Sequence, residues 1–136
     1  MSEPRLLVVE GNTAEGRARH VAVGGRAASD GYADLLRKLC PGARVDVCFP
    51  ADMGANLPDR GGIEGYDGVA ITGSALNIYD LGPAIMRQVE LARAVFDAGV
   101  PFVASGIALW AIATFSITEE RAHQVRLELE ARRGAA

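Results

Sequence analysis

Apolar positions along this chain of 136 residues follow two rhythms. Leu6-Leu7-Val8-Val9 is a short continuous run. It does not alternate, so it reads as a strand buried on both faces. Arg44 to Phe49 alternates in part and predicts a second strand, Tyr66 to Gly73 a third, and Val100 to Ala104 a fourth. Between them the spacing becomes helical. Tyr32, Leu35, Leu36 and Leu39 form one expected buried stripe, with Ser29 as N-cap and Pro41-Gly42 as the stop. Ile85, Val89, Ala92 and Phe96 form another, between a start marked by Asp80 and Pro83 and an end at Gly99. Ile107 to Phe115 is apolar all round, the pattern of a fully buried helix. The polar stretch from Arg17 to Gly25 and the residues from Pro50 to Gly65 read as loops.

Strands that alternate with helices predict an α/β fold. The expected architecture is a doubly wound, mainly parallel, flavodoxin-like sheet in three αβα layers. Its strand order is 2-1-3-4, with right-handed crossovers. Ligands in such sheets bind at the carboxyl ends of the strands. Those ends are Glu10 to Thr13, Phe49 to Asp52, Gly73 to Tyr79, and Ser105-Gly106. The last segment differs. Thr118 to Arg133 predicts a C-terminal amphipathic helix with a thin stripe of Ala122, Val125 and Leu129. Arg126 and Glu130, and Glu128 and Arg132, stand four apart and can pair on its surface. Residues 1–116 therefore read as one domain, and 117–136 as a charged helix and tail.

Composition narrows the function classes. A net charge of −3 with scattered arginines leaves no basic footprint for nucleic acid or an anionic membrane. A spanning helix needs about 20 apolar residues, and the longest run, Val100 to Ile117, is broken by Pro101, Ser105 and Gly106. A cytoplasmic location is the expectation. Cys40 and Cys48 lack metal-ligand spacing and read as buried free thiols. No metal or cofactor is implied. Gly24-Gly25 lacks the strand-to-helix context of a dinucleotide site. His20, beside Arg17 and Arg19, reads as part of a solvated loop, and Trp110 as core.

The densest chemical signal is Val100 to Leu109, a buried strand that turns tightly into a buried helix. That is the layout of a nucleophile elbow, where the amide of the following residue, here Ile107, faces a developing oxyanion. In register, Ala104-Ser105-Gly106-Ile107-Ala108-Leu109-Trp110 resembles the Gly-x-Cys-x-Gly-x-Gln elbow of class I glutamine amidotransferases. Gly106 stands at the cysteine, Ala104 and Ala108 at the flanking glycines, and Trp110 at the glutamine. Tyr66 to Ser74 is similar to the family's strand ending in a Gly-Ser loop, and Asn77-Ile78-Tyr79-Asp80 to its continuation. The resemblance covers about Leu6 to Ala113. It implies the N-terminal part of a glutamine amidotransferase-like domain over residues 1–116. Backbone at Gly73 and Ile107 would form an oxyanion hole, and Ser74, Asn77, Tyr79 and Ser105 would line the pocket.

The departures shape the expected function. The family hydrolyses glutamine to deliver ammonia, using a Cys-His-Glu set. Gly106 supplies no thiolate, and neither His20 nor His123 stands in a His-x-Glu pattern. The expectation is a truncated, catalytically silent relative, with a small molecule or anion as the pocket's ligand. Ser105, one residue from the elbow position, faces the opposite way on a strand and has no evident base. The alternative reading is a non-catalytic binding or self-assembling module, a homo-oligomer joined through an exposed sheet edge or the C-terminal helix.

Overall fold

A computed structural model describes residues 2–76 and 80–104, with the single positions 127, 130, 131 and 134. Its elements are β1 (Arg5–Val9), α1 (Ala14–Ala22), α2 (Ala28–Leu39), β2 (Arg44–Cys48), α3 (Arg60–Ile63), β3 (Gly68–Ile71), α4 (Pro83–Asp97) and β4 (Phe102–Ala104). The four strands form one parallel sheet in the order β2-β1-β3-β4. Leu7 lies level with Asp46 on one side and Val69 on the other. This is the flavodoxin-like α/β arrangement that the strand and helix pattern implied.

The core explains why β1 does not alternate. On one face Leu7 and Val9 pack with Val69, Ile71, Leu91, Val95 and Ile63, beneath α3 and α4. On the other, Val8 and Ala70 are also buried, and α2 covers β1 and β2. Burying both faces removes the polar outward positions that would give a period of two. Gly42 (φ +91) follows α2 and Gly99 (φ +69) follows α4. Each adopts the left-handed turn that glycine makes without a steric penalty.

Several local expectations change. Ala14–Ala22 is a helix, not a loop. Thr13 caps it by accepting from the Gly16 N–H at 3.1 Å, and it buries no residue. A helix with no apolar stripe leaves no periodic signal. Ser29 is not the N-cap of α2. Ala27 holds that position, and Ser29 lies buried inside the first turn. The buried residues of α2 are Ser29 and Ala33, while Leu35 and Leu39 are exposed. Arg60–Ile63 forms a short helix within the expected loop, capped by Asp59, with Ile63 fully buried. Gly82, not Asp80, caps α4, with Pro83 in its first turn. Phe96 is half exposed, because Val95 takes the inward position. Cys48 is buried, and Cys40 only partly so. Leu127, Glu130 and Ala131 are helical and exposed. The expected helices at 107–115 and 118–133 otherwise lie outside the described residues, as does Trp110.

The corrected packing makes a direct prediction. Leu7→Ala is expected to lower the unfolding free energy by about 2–5 kcal/mol through lost transfer energy and a residual cavity. Leu39→Ala, at a position 72% exposed, is expected to change it by less than about 0.5 kcal/mol. Urea melts with equal slopes measure both.

Candidate functional site

The chain leaves β1 toward β2 on one side and places β3 on the other. The carboxyl ends of β1 and β3 therefore flank the point where strand order reverses, the usual crevice of an open α/β sheet. Glu10, Gly11 and Asn12 follow β1 there, and Thr72, Gly73 and Ser74 follow β3. The two ends touch closely. A side chain at Gly11 would put its Cβ 2.9 Å from the Gly73 carbonyl and 3.0 Å from Ser74 Cβ. Only glycine permits this approach.

Glu10 organises the crevice. It is fully buried. Its Oε1 accepts from the Asn12 N–H and from Asn12 Nδ2, each at 3.0 Å, with Thr72 Oγ1 at 3.4 Å. Its Oε2 accepts from the Ser29 N–H at 2.7 Å. That last bond supplies α2 with the cap its own Ala27 lacks. It also sets a carboxylate at the positive end of the helix. Burial pushes the Glu10 carboxyl up, but the amides of Ser29 and Asn12 outweigh it and hold the group below its ordinary value.

Asn12 passes this order to the β3 loop. Its Oδ1 accepts from the Ala75 N–H at 2.9 Å, and its Nδ2 also reaches the Gly73 carbonyl at 3.4 Å. Thr72 Oγ1 accepts from the Gly11 N–H at 2.9 Å and lies 3.1 Å from the Gly73 carbonyl oxygen. Ser74 Oγ closes the turn by accepting from the Leu76 N–H at 3.0 Å.

A second set of bonds braces the rim. Arg17 donates to Asp52 at 2.7 Å and to the Asn12 carbonyl at 2.8 Å, and lies over the Phe49 ring at 4.4 Å. Asp52 also accepts from the Ala14 N–H. The Arg17 hydrogen bond leads the effects that hold the Asp52 carboxyl low. Arg87 of α4 donates to the Pro50 and Ala51 carbonyls. Arg17 is thus committed to the scaffold, Arg19 pairs with Glu15, and His20 is exposed on α1. Burial pushes the Cys48 thiol up to about 12, which removes it as a nucleophile at neutral pH. Among the described residues no cluster of three metal-ligating side chains occurs, and no helix is long and apolar enough to cross a membrane.

Comparison with known proteins adds one firm relationship. The chain is 37% identical over 103 residues to a gamma-glutamyl-L-1-hydroxyisopropylamide hydrolase from a Pseudomonas species. The match takes in 74% of the chain and 34% of the relative, so the chain spans about a third of the length of the curated relative it matches. No family model and no solved structure matches the chain.

Of the residues expected from the sequence, Gly73 and Ser74 lie in the β1–β3 crevice, both partly buried. Asn77, Tyr79, Ser105, Gly106 and Ile107 lie outside the described residues. Glu10, Asn12 and Thr72 were not singled out as site residues. Their signal was a glutamate directly after an apolar run, followed by Gly-Asn, and a threonine before Gly73.

The downward shift of the Glu10 carboxyl from its ordinary value fixes the sign of a pH effect. The carboxyl ionises more readily in the folded chain than at its ordinary 4.5. It therefore contributes stability above that pH, and the contribution is lost as pH falls through the lower folded value. Glu10→Gln is expected to cost roughly 1–3 kcal/mol at pH 7, by leaving a buried amide without its acceptor. The variant should also lose less further stability than the unaltered chain in urea melts taken from pH 5 to pH 3.

Proposed function

We propose that this chain is a glutamine amidotransferase-like domain whose crevice takes a γ-glutamyl compound and does not hydrolyse it. The observation that carries the reading is the relationship to a gamma-glutamyl amide hydrolase. It is supported by the paired ends of β1 and β3, which set the Gly73-Ser74 turn at the usual binding crevice of the fold. Gly106 stands where the resemblance to the family's elbow sets the cysteine, and glycine has no group to attack a carboxamide. His20 and His123, the two histidines of the chain, are each followed by sequence unlike the family's His-x-Glu. Backbone that stabilises charge can outlast the nucleophile, because amide N–H groups do not depend on the side chain at that position.

Purified chain incubated with L-glutamine is expected to release no ammonia above an enzyme-free blank. Gly106→Cys is expected to stay silent as well, since a thiol without a base to ionise it reacts orders of magnitude more slowly. Ammonia release by the unaltered chain would overturn the silent-domain reading.

A second reading, a self-assembling α/β module, has its own support. Val103 on β4 is 62% exposed. It borders an open apolar groove of about 260 Å³ with Leu6, Leu36, Ala70 and Pro101. Contiguous exposed apolar surface is a feature of interaction sites. Under this reading the mass measured by light scattering rises with concentration, and Val103→Lys holds the chain monomeric.

A further inference from the structure

We infer that Asn12 is a positioning residue, which orients the backbone from Gly73 to Ala75 toward the carboxamide of a bound γ-glutamyl ligand. The inference rests on the proposed function and adds to it a residue outside the family's elbow and Gly-Ser motifs. The argument begins with Glu10. Its buried, ionised carboxylate can only accept hydrogen bonds. The group that Asn12 turns toward it at 3.0 Å must therefore be the Nδ2 amide. That fixes which end of the Asn12 side chain faces the β3 loop, and Oδ1 accepts from the Ala75 N–H at 2.9 Å. The same Nδ2, together with Thr72 Oγ1, contacts the Gly73 carbonyl.

Peptide units are planar and trans, so the carbonyl and the next N–H point in opposite directions. A Gly73 carbonyl turned toward Asn12 and Thr72 sends the Ser74 N–H the other way. An Ala75 N–H turned toward Asn12 does the same for the Ser74 carbonyl. One side chain thus sets two successive peptide planes in the loop that the resemblance makes part of the oxyanion hole. Aspartate at position 12 could accept from Ala75 but would set a second carboxylate against Glu10. Alanine would reach neither partner.

The test is calorimetric titration of the full chain with L-glutamine, run well below the melting temperature and with circular dichroism to confirm folding. The unaltered chain is expected to bind, and Asn12→Ala to bind about tenfold more weakly or worse, the loss of one or two net hydrogen bonds. Thr72→Val removes the hydroxyl at near-constant volume and is expected to weaken binding, while Thr72→Ser restores the hydroxyl and the affinity. A merely structural role would lower the melting temperature without this split between Val and Ser. If Asn12→Ala does not fold, the Thr72 pair decides. Equal affinity in the unaltered chain and the folded variants overturns the positioning role and leaves the proposed function standing. Absence of glutamine binding by the unaltered chain overturns both.

Discussion

Taking a carboxylate out of water costs several kcal/mol unless protein donors replace the lost hydration. Glu10 is wholly buried, and its donors come from different parts of the chain. The Ser29 amide belongs to the first turn of α2, the Asn12 groups to the turn after β1, and the Thr72 hydroxyl to the end of β3. The charge is tolerable only when all three segments are in place. Satisfying it therefore fixes where α2 begins and how the β1 and β3 ends meet. A fully satisfied buried polar network rigidifies its surroundings in this way, whereas a partly satisfied one would weaken them.

The rest of the carboxyl-terminal rim follows from that constraint. Once the β1 turn is set, the Asn12 carbonyl faces Arg17, and Arg17 in turn holds Asp52 after β2. Arg87 ties α4 to the same loop through two carbonyls. These bonds use charged side chains on backbone and carboxylate partners, the stronger class of hydrogen bond. The result is a rim held from β2 to β3, in which Gly11 allows the two loops to touch.

This architecture bears on the proposed loss of chemistry. In an acyl-transfer site the nucleophile is one side chain, while charge stabilisation is distributed over backbone that the fold itself orients. Under the proposed function, glycine in place of the nucleophile removes the first and leaves the second to the network around Glu10. Under that reading, such a domain keeps the means to recognise a carboxamide without the means to cleave it.

The strand order and the loops at the carboxyl ends of the strands were legible from the sequence. Both depend on short-range signals, such as the unbroken Leu6 to Val9 run, the glycine stops at Gly42 and Gly99, and the helical spacing of Ile85, Val89 and Ala92. The Gly73-Ser74 turn was legible for the same reason. Tertiary structure decided the rest. α1 buries nothing, so it has no stripe to read. α2 borrows its cap from Glu10, 19 residues away, so Ser29 looked like a cap and was not. Leu35 and Leu39 share a helical spacing but face solvent, because the docking of α2 turns Ser29 and Ala33 inward. Above all, the roles of Glu10, Asn12 and Thr72 arise from partners up to 63 residues apart. Periodicity and capping report only on neighbours within a turn or two, and a buried charge reveals its purpose only when the fold brings its donors to it.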